Sequence, residues 1–255
     1  MNYREQIEEK LDEIEAKEQV KILHAVESGS RSWGFASPDS DYDVRFVYMR
    51  DLPYYLGLQE KKDFINWELN ETLDISGWDL SRVLQYLHKS NATVFEWANS
   101  PVVYRSTKMW DEVKALMGEY FSCKSCMYHY YGTARKNNEA FLQEEQVKYK
   151  KYFYVLRPLM ACKWIEQKKT PPPMLFSELL DAVLEEELQP QMQSLLKQKA
   201  QMMEAEKGAR LEPLHDYIEQ NLKRYQMLAS QLADDRNPDW TRLNQLFYTL
   251  IRKEG

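Results

Sequence analysis

The sequence predicts an α+β fold, in which a small mixed-sheet domain over residues 1–110 is followed by an all-α domain over residues 111–255. Short apolar runs that are typical of strands occur in the first part. From about residue 110 onward, apolar residues instead recur at helical spacing over long segments. The TPPP stretch at 170–173 separates two of these segments, because proline breaks a helix interior.

The first domain alternates helical and extended patterns. Residues 3–18 are rich in Glu and carry apolar residues at helical spacing, which predicts a first helix. The runs KILHAV (21–26) and YDVRFVYM (42–49) predict two strands. The runs DFINWEL and TLDIS alternate apolar and polar residues, and predict a hairpin or two further strands. Residues 79–89 predict a helix that Asp79 is placed to cap.

The second domain is predicted to be helical throughout. Its segments share apolar residues at helical spacing and are separated by short polar or proline-containing stretches. The predicted helices are 111–121, 127–145, 147–167, 175–186, 190–206, 213–233 and one from about 238.

Composition limits the partners and the cellular compartment that we expect for the protein. The net charge of −6 over 255 residues argues against bulk non-specific binding of nucleic acid. Three cysteines are an odd number and indicate no disulfide framework. No signal peptide or run of eighteen apolar residues is apparent, so we expect a cytoplasmic protein with no membrane partner. The oligomeric state stays open.

Two acidic residues stand at the start of the second predicted strand. Side chains at i and i+2 of a strand share a face, so Asp41 and Asp43 project together while Tyr42 and Val44 face the core. Two adjacent carboxylates become favourable around a hard cation such as Mg²⁺. Asp74, flanked by apolar residues in LDI, is the candidate third acid of a two-metal site.

A Gly-Ser pair precedes these acids. Glycine allows close approach of the backbone to a phosphate, and Gly29 with Ser30 is predicted to cradle phosphate oxygens. Arg31 and Ser32 are candidates for further phosphate contacts. No Walker-type lysine follows, so the pattern is not a P-loop.

A basic segment over residues 147–169 is the other candidate binding surface. Lys148, Lys151 and Tyr152 fall on one face of the predicted helix. Lys148 or Lys151 is a candidate to hold triphosphate oxygens, and Tyr152 is a candidate to stack on a base or to donate a hydrogen bond. The alternative is a solvated charged face.

The stretch GSRSWGFASPDSDYDVRFVY (29–48) resembles the signature of the DNA polymerase β nucleotidyltransferase superfamily. With LDISGWDLSRVLQYLHKSNATVFEW and KYFYVLRPLMACKWI, it is similar to the predicted nucleotidyltransferases of the RNA-ligase-associated branch. The resemblance implies a polymerase β-like core with an attached helical domain and two Mg²⁺ or Mn²⁺ ions. It places the metal acids on Asp41, Asp43 and Asp74, with Asp79 as the alternative third acid.

These observations predict an enzyme that moves a nucleoside monophosphate from a nucleoside triphosphate, with ATP expected, and releases pyrophosphate. Asp74 is the candidate to activate the acceptor. The acceptor stays open between an RNA end, a protein side chain and a small molecule, as do the roles of Asn91 and Glu96. The alternative function is a catalytically silent, antitoxin-like module that binds a nucleotide or a partner.

Overall fold

The computed structural model describes residues 2–36, 40–70, 72–201, 207–234, 236 and 238–253. The described strands, in chain order, are β1 (Lys21–Ser28), β2 (Tyr42–Met49), β3 (Phe64–Leu69), β4 (Leu73–Asp79), β5 (Val103–Ser106), β6 (Gln146–Lys148) and β7 (Lys207–Ala209). The described α-helices are α1 (Tyr3–Glu18), α2 (Leu52–Leu56), α3 (Leu80–His88), α4 (Ala92–Ala98), α5 (Lys108–Tyr120), α6 (Cys123–Phe141), α7 (Lys150–Lys168), α8 (Phe176–Val183), α9 (Gln189–Gln201), α10 (Glu212–Gln231) and α11 (Trp240–Arg252).

The chain divides into two compact units. The first unit combines Met1–Phe121 with Arg236–Gly255, and the second is Ser122–Asp235. The sequence placed the boundary after residue 110 and assigned everything beyond it to a helical domain. In the structure, α5 and α11 instead belong to the first unit. Helical periodicity identifies a helix but does not say which core its apolar face joins, which explains the difference.

The first unit is built on a mixed five-stranded sheet. The strand order is β3-β4-β2-β1-β5. The pairing of β2 with β4 is parallel, and the other neighbours pair antiparallel. One face is covered by α1, whose buried Ile7, Leu11 and Ile14 join apolar residues of the central strands. The α+β class is therefore confirmed.

The predicted strands and first helices agree closely with the structure. The bounds of α1 and β2 are those predicted, and β3 with β4 forms the antiparallel pair that DFINWEL and TLDIS indicated. Asp79 caps α3 by accepting a hydrogen bond from Ser81 N at 2.8 Å, and its side chain is buried. Burial raises the pKa of the Asp79 carboxyl. Its role is thus the helix cap rather than an exposed metal ligand.

Short elements escaped the sequence analysis. They are α2, α4 and the strands β5, β6 and β7, none longer than seven residues, and so short a run shows little periodicity. The helix predicted over 147–167 begins only at Lys150, because residues 146–148 pair with β7 instead. Residues 202–206, predicted to end a helix, lie outside the described residues.

The second unit is mainly helical. Its central helix α7 packs against α6, α8 and α10, and most of its side chains between Tyr152 and Cys162 are buried. Arg157 is buried within this unit, where its Nε donates to the carbonyl of Met174 at 3.4 Å. No helix in the described ranges has the length and apolar character needed to cross a membrane.

His24 of β1 gives the first unit an expected sensitivity to acid. The ring stacks on Trp110 with centroids 4.6 Å apart, and Nε2 lies 3.3 Å from the carbonyl of Trp97. Burial lowers the pKa of His24 to about 4, below its ordinary 6.5. Unfolding lets the ring take up a proton, so the stabilising effect is complete above pH 6.5 and is lost as pH falls from 6.5 towards 4.

We therefore expect the free energy of unfolding of this unit to fall by about 2 kcal/mol from this source between about pH 7 and about pH 5. Tryptophan fluorescence in a urea titration measures it, because every tryptophan except Trp164 lies in this unit. In His24→Phe, which retains an aromatic ring beside Trp110, the extra pH dependence should disappear. An unchanged pH dependence in that variant would contradict the assignment to His24.

Candidate active site

Two carboxylates meet across the central strands of the sheet. Asp43 and Asp74 are opposite each other in the parallel register of β2 and β4. Their side chains are 25% and 30% exposed, so both reach solvent. On the other face of β2, Val44 is buried and Tyr42 packs against the core, as the alternation predicted. The strand geometry therefore presents Asp43 and Asp74 together at an accessible position.

Asp41 lies one residue before β2 and is exposed. Its main-chain carbonyl accepts a hydrogen bond from Arg31 Nε at 3.0 Å. Among the residues that the structure describes, no three His, Cys, Asp or Glu side chains are grouped closely enough to hold a metal ion. Of the three predicted acids, the structure thus places Asp43 and Asp74 opposite each other, and among the described residues no third acid is grouped with them.

Arg45 connects the two carboxylates. Its Nη2 lies 2.6 Å from Asp74 Oδ2 and 3.3 Å from Asp43 Oδ1. Its Nη1 donates to the main-chain carbonyls of Val44 at 3.0 Å and Asp74 at 2.8 Å. A guanidinium group has the fixed planar donors that such a set of oxygens requires. The positive charge offsets the repulsion between two carboxylates in neighbouring strand positions.

Gly29 makes room for Asp43. It follows Ser28, which pairs with Asp43 across β1 and β2, and its φ of +75° lies in the left-handed region that favours glycine. A Cβ atom on Gly29 would lie 2.2 Å from Asp43 Oδ2. The glycine was predicted to allow close approach of a phosphate. In the structure it already allows the close approach of a carboxylate oxygen.

The turn after Gly29 is stabilised by its own side chains. Ser32 is fully buried, and its hydroxyl donates to the carbonyl of Gly29 at 2.8 Å. Arg31 donates to the carbonyls of Ser40 and Asp41, and its guanidinium lies 3.8 Å from the ring centroid of Tyr42. Ser32 therefore supports the turn from inside instead of reaching a phosphate. Phosphate binding by Gly29, Ser30 and Arg31 stays a prediction.

A buried glutamate, Glu27, accepts a hydrogen bond from the backbone of Asp43. Glu27 Oε1 accepts a hydrogen bond from Asp43 N at 2.8 Å, and the hydroxyl of Tyr104 donates to Glu27 Oε2. Burial raises the pKa of Glu27 to about 7, and the hydrogen bonds from Tyr104 and Asp43 oppose part of that rise. Glu27 thus positions the backbone of Asp43 at the end of the β1–β2 pairing.

Arg45 and Glu27 were both missed by the sequence analysis. The position of Arg45 could have been predicted from the sequence. It is two residues after Asp43 on the same strand, so its side chain shares the face of the acids. Glu27 had none, since an acid in a strand gives no sign of being buried until its partners Tyr104 and Asp43 are placed.

The residues predicted from the basic segment belong to the second unit. Lys148 ends β6, and with Lys151 and Lys207 it lines a groove of about 470 Å³. The ammonium group of Lys151 lies 4.0 Å from the ring centroid of Phe141. Contact of these lysines with a triphosphate stays a prediction.

Tyr152 requires a correction. Its side chain is fully buried, and its hydroxyl accepts a hydrogen bond from Leu211 N at 2.9 Å. This position excludes stacking on a base, because no face of the ring reaches the surface. Helical spacing predicted that Tyr152 lies on the same face as the lysines. In the structure Lys148 lies on a strand, and Tyr152 is on the buried side of α7.

The fit of a divalent cation can be judged from the donors. Carboxylate oxygens are the ligands that Mg²⁺ prefers. Asp43 and Asp74 already converge on one positive group, the Arg45 guanidinium, which indicates that both can serve a shared cation. The chemistry of Asp43 and Asp74 therefore fits a divalent cation, and a ligand role for Asp41 stays a prediction.

Asn91 has a structural role, since its side chain caps α4 by accepting from Thr93 N at 2.9 Å.

A mixed sheet that places Asp43 and Asp74 side by side, next to a Gly-Ser turn, is typical of nucleotidyltransferases of the polymerase β type. The sequence model of the RNA repair pathway DNA polymerase beta family (RlaP) matches residues 3–249. The chain belongs to this family.

Two relatives similar in sequence to this chain are both described as uncharacterized proteins. The chain is similar to the uncharacterized protein YcgL of Bacillus subtilis (strain 168), with 39% identity over 252 residues that cover 98% of this chain and 97% of that protein. It is also similar to the uncharacterized protein MJ0002 of Methanocaldococcus jannaschii, with 27% identity over 138 residues, or 53% of this chain and 56% of that protein. A solved nucleotidyltransferase-like protein from Exiguobacterium sibiricum aligns with 90% of this chain and 75% of its own, at 13% identity and a TM-score of 0.32.

Proposed function

We propose that the protein is a divalent-cation-dependent nucleotidyltransferase, which transfers a nucleoside monophosphate from a nucleoside triphosphate to an acceptor. The acceptor oxygen forms a bond to the α-phosphorus, the bond between that phosphorus and the β-phosphate bridging oxygen breaks, and pyrophosphate leaves. The observation that carries the proposal is the pairing of Asp43 with Asp74 across β2 and β4, beside Gly29. Membership of the family supports the reaction type.

The proposal gives each side chain a role. Asp43 and Asp74, with Asp41, would hold Mg²⁺ or Mn²⁺, two ions in the full site. Such ions would neutralise triphosphate charge and stabilise the attacking and leaving oxygens. Asp74 would accept the proton of the acceptor hydroxyl. Glu27 positions the backbone of Asp43, and the turn that begins at Gly29 is the proposed seat of the phosphates.

The experiment that tests this function is calorimetry of the four ribonucleoside triphosphates, in Mg²⁺ and in EDTA, followed by an assay of pyrophosphate release. ATP is the donor we propose. Candidate acceptors are RNA ends, proteins and small molecules, each offered with an α-labelled nucleotide. Metal-dependent binding that Asp43→Asn abolishes, together with label transfer, supports the proposal. Absence of triphosphate binding in either condition contradicts it.

A second candidate function is a catalytically silent module that binds a nucleotide or a protein partner. The contact of Arg45 with Asp43 and Asp74 favours it, because a neutralised acid pair needs no metal. Pyrophosphate release discriminates between the two, since a silent module binds the nucleotide without cleaving it. A partner that co-purifies with the protein, and whose binding does not depend on divalent cations, would support the module.

A further inference from the structure

The guanidinium of Arg45 forms an ion pair with each of the two carboxylates of the candidate site. Asp43 and Asp74 each direct one oxygen to the same nitrogen, Nη2. Arginine often binds a single carboxylate with two parallel hydrogen bonds. Here one nitrogen is shared between two acids from different strands, so the positive charge lies where the two negative charges meet. A divalent cation that used these oxygens would compete with the guanidinium for them, because two positive groups beside each other repel.

The anchoring of Arg45 makes such an exchange feasible. Its Nη1 is held by the main-chain carbonyls of Val44 and Asp74, which belong to the sheet and do not depend on either carboxylate. The guanidinium therefore keeps two acceptors when the carboxylates turn away. Asp43 also has a second oxygen, Oδ2, on the side of Gly29. Release of the acids then requires rotation of short side chains, whereas the arginine can stay in place.

We propose that Arg45 is an internal counter-ion of this site, which holds Asp43 and Asp74 together in the cation-free protein and gives them up when a divalent cation binds. The proposal rests on the proposed function for the identity of the cation-binding acids. Its consequence is that Arg45 weakens cation binding while it stabilises the cation-free fold. Arg45 is thus a positioning residue whose removal should tighten binding of the cation.

The test compares Arg45→Met with the wild-type chain, using Mn²⁺ as the probe. Mn²⁺ affinity is measured by calorimetry without nucleotide, and melting temperature is measured over a range of Mn²⁺ concentrations. We expect Arg45→Met to melt at a lower temperature in EDTA, because Asp43 and Asp74 then repel each other. We expect it to bind Mn²⁺ about tenfold more tightly, the factor that corresponds to one charge-assisted hydrogen bond. The rise in melting temperature caused by Mn²⁺ should therefore be larger than in the wild type.

Arg105→Met is the matched control. Arg105 also bridges two acids in the first unit, Asp12 at 2.6 Å and Glu15 at 2.9 Å, and it is 24% exposed against 19% for Arg45. Its replacement should lower the melting temperature without changing Mn²⁺ affinity. Arg45→Lys, which keeps the charge but loses the planar fork, should lie between wild type and Arg45→Met, and it replaces Arg45→Met if that variant does not fold.

The outcomes separate this inference from the proposed function. If the wild type binds Mn²⁺, Asp43→Asn loses it, and Arg45→Met binds with equal or weaker affinity, the counter-ion role is overturned and the proposed function stands. If neither wild type nor Arg45→Met binds Mn²⁺, with or without nucleotide, both are overturned. Tighter binding in Arg45→Met alone, with Arg105→Met unchanged, supports the inference.

Discussion

Replacement of Asp43 by asparagine is expected to abolish nucleotidyl transfer while leaving the fold intact. Asparagine has the same shape but no charge, so it cannot serve as an anionic ligand beside Asp74. We expect kcat/KM to fall by about three orders of magnitude or more, which corresponds to about 4 kcal/mol of lost transition-state stabilisation. The measurement is pyrophosphate release with the donor nucleotide that calorimetry identifies, together with a melting curve for each variant.

Asp63→Asn is the matched control for this prediction. Asp63 also pairs with an arginine of the first unit, Arg82, at 2.8 Å, and it is not one of the proposed cation ligands. Its replacement should change the melting temperature slightly and leave the rate unchanged. Full activity in both Asp41→Asn and Asp43→Asn would contradict the site, because it would leave Asp74 as the remaining acid of the three.

Gly29→Ala is expected to damage both stability and activity. The new methyl group would lie 2.2 Å from Asp43 Oδ2, and the φ of +75° strains any residue with a Cβ atom. We expect the free energy of unfolding to fall by about 2 kcal/mol or more, with loss of activity because the Asp43 carboxylate must move. A urea titration followed by tryptophan fluorescence measures the first effect, and the pyrophosphate assay measures the second.

Two comparisons isolate the cause. Gly118 lies in α5, and an added Cβ there would meet open space beyond the helix's own backbone, so Gly118→Ala should be neutral or slightly stabilising. In an Asp43→Ala background, Gly29→Ala should cost less, because the carboxylate it collides with is gone and only the backbone strain remains. An equal cost in both backgrounds would show that contact with Asp43 is not the reason for the glycine.

The features that sequence predicted well are those set by local chemistry. Alternation along β2 placed Asp43 and Val44 on opposite faces, and the bounds of that strand were predicted without error. The cap of α3 followed from the preference of aspartate for that position. Asp74 was selected as an acid flanked by apolar residues on a predicted neighbouring strand, and the family resemblance pointed to the same residue. The parallel register of β2 with β4 places it opposite Asp43.

The features that sequence missed depend on partners far away along the chain. Glu27 is buried because Tyr104 donates to it from β5, 77 residues later. Tyr152 is a core residue because Leu211 N donates to its hydroxyl across 59 residues. Lys148 is in a strand only because β7 is available to pair with β6. Local periodicity contains none of these contacts, so pattern reasoning gave the wrong environment for Tyr152 and Lys148.

The last described helix has a consequence for how the protein folds as it is synthesised. Leu243, Leu250 and Ile251 of α11 are buried, and α11 packs against α3 and α5 of the first unit. The ribosome therefore synthesises the whole of residues 122–235 after the sheet but before this helix. The first unit stays incomplete until the second unit has been made. The second unit can fold early, whereas the sheet unit must wait with apolar surface of α3 and α5 exposed. A nascent chain halted after residue 235 should accordingly bind chaperones more strongly than the finished protein.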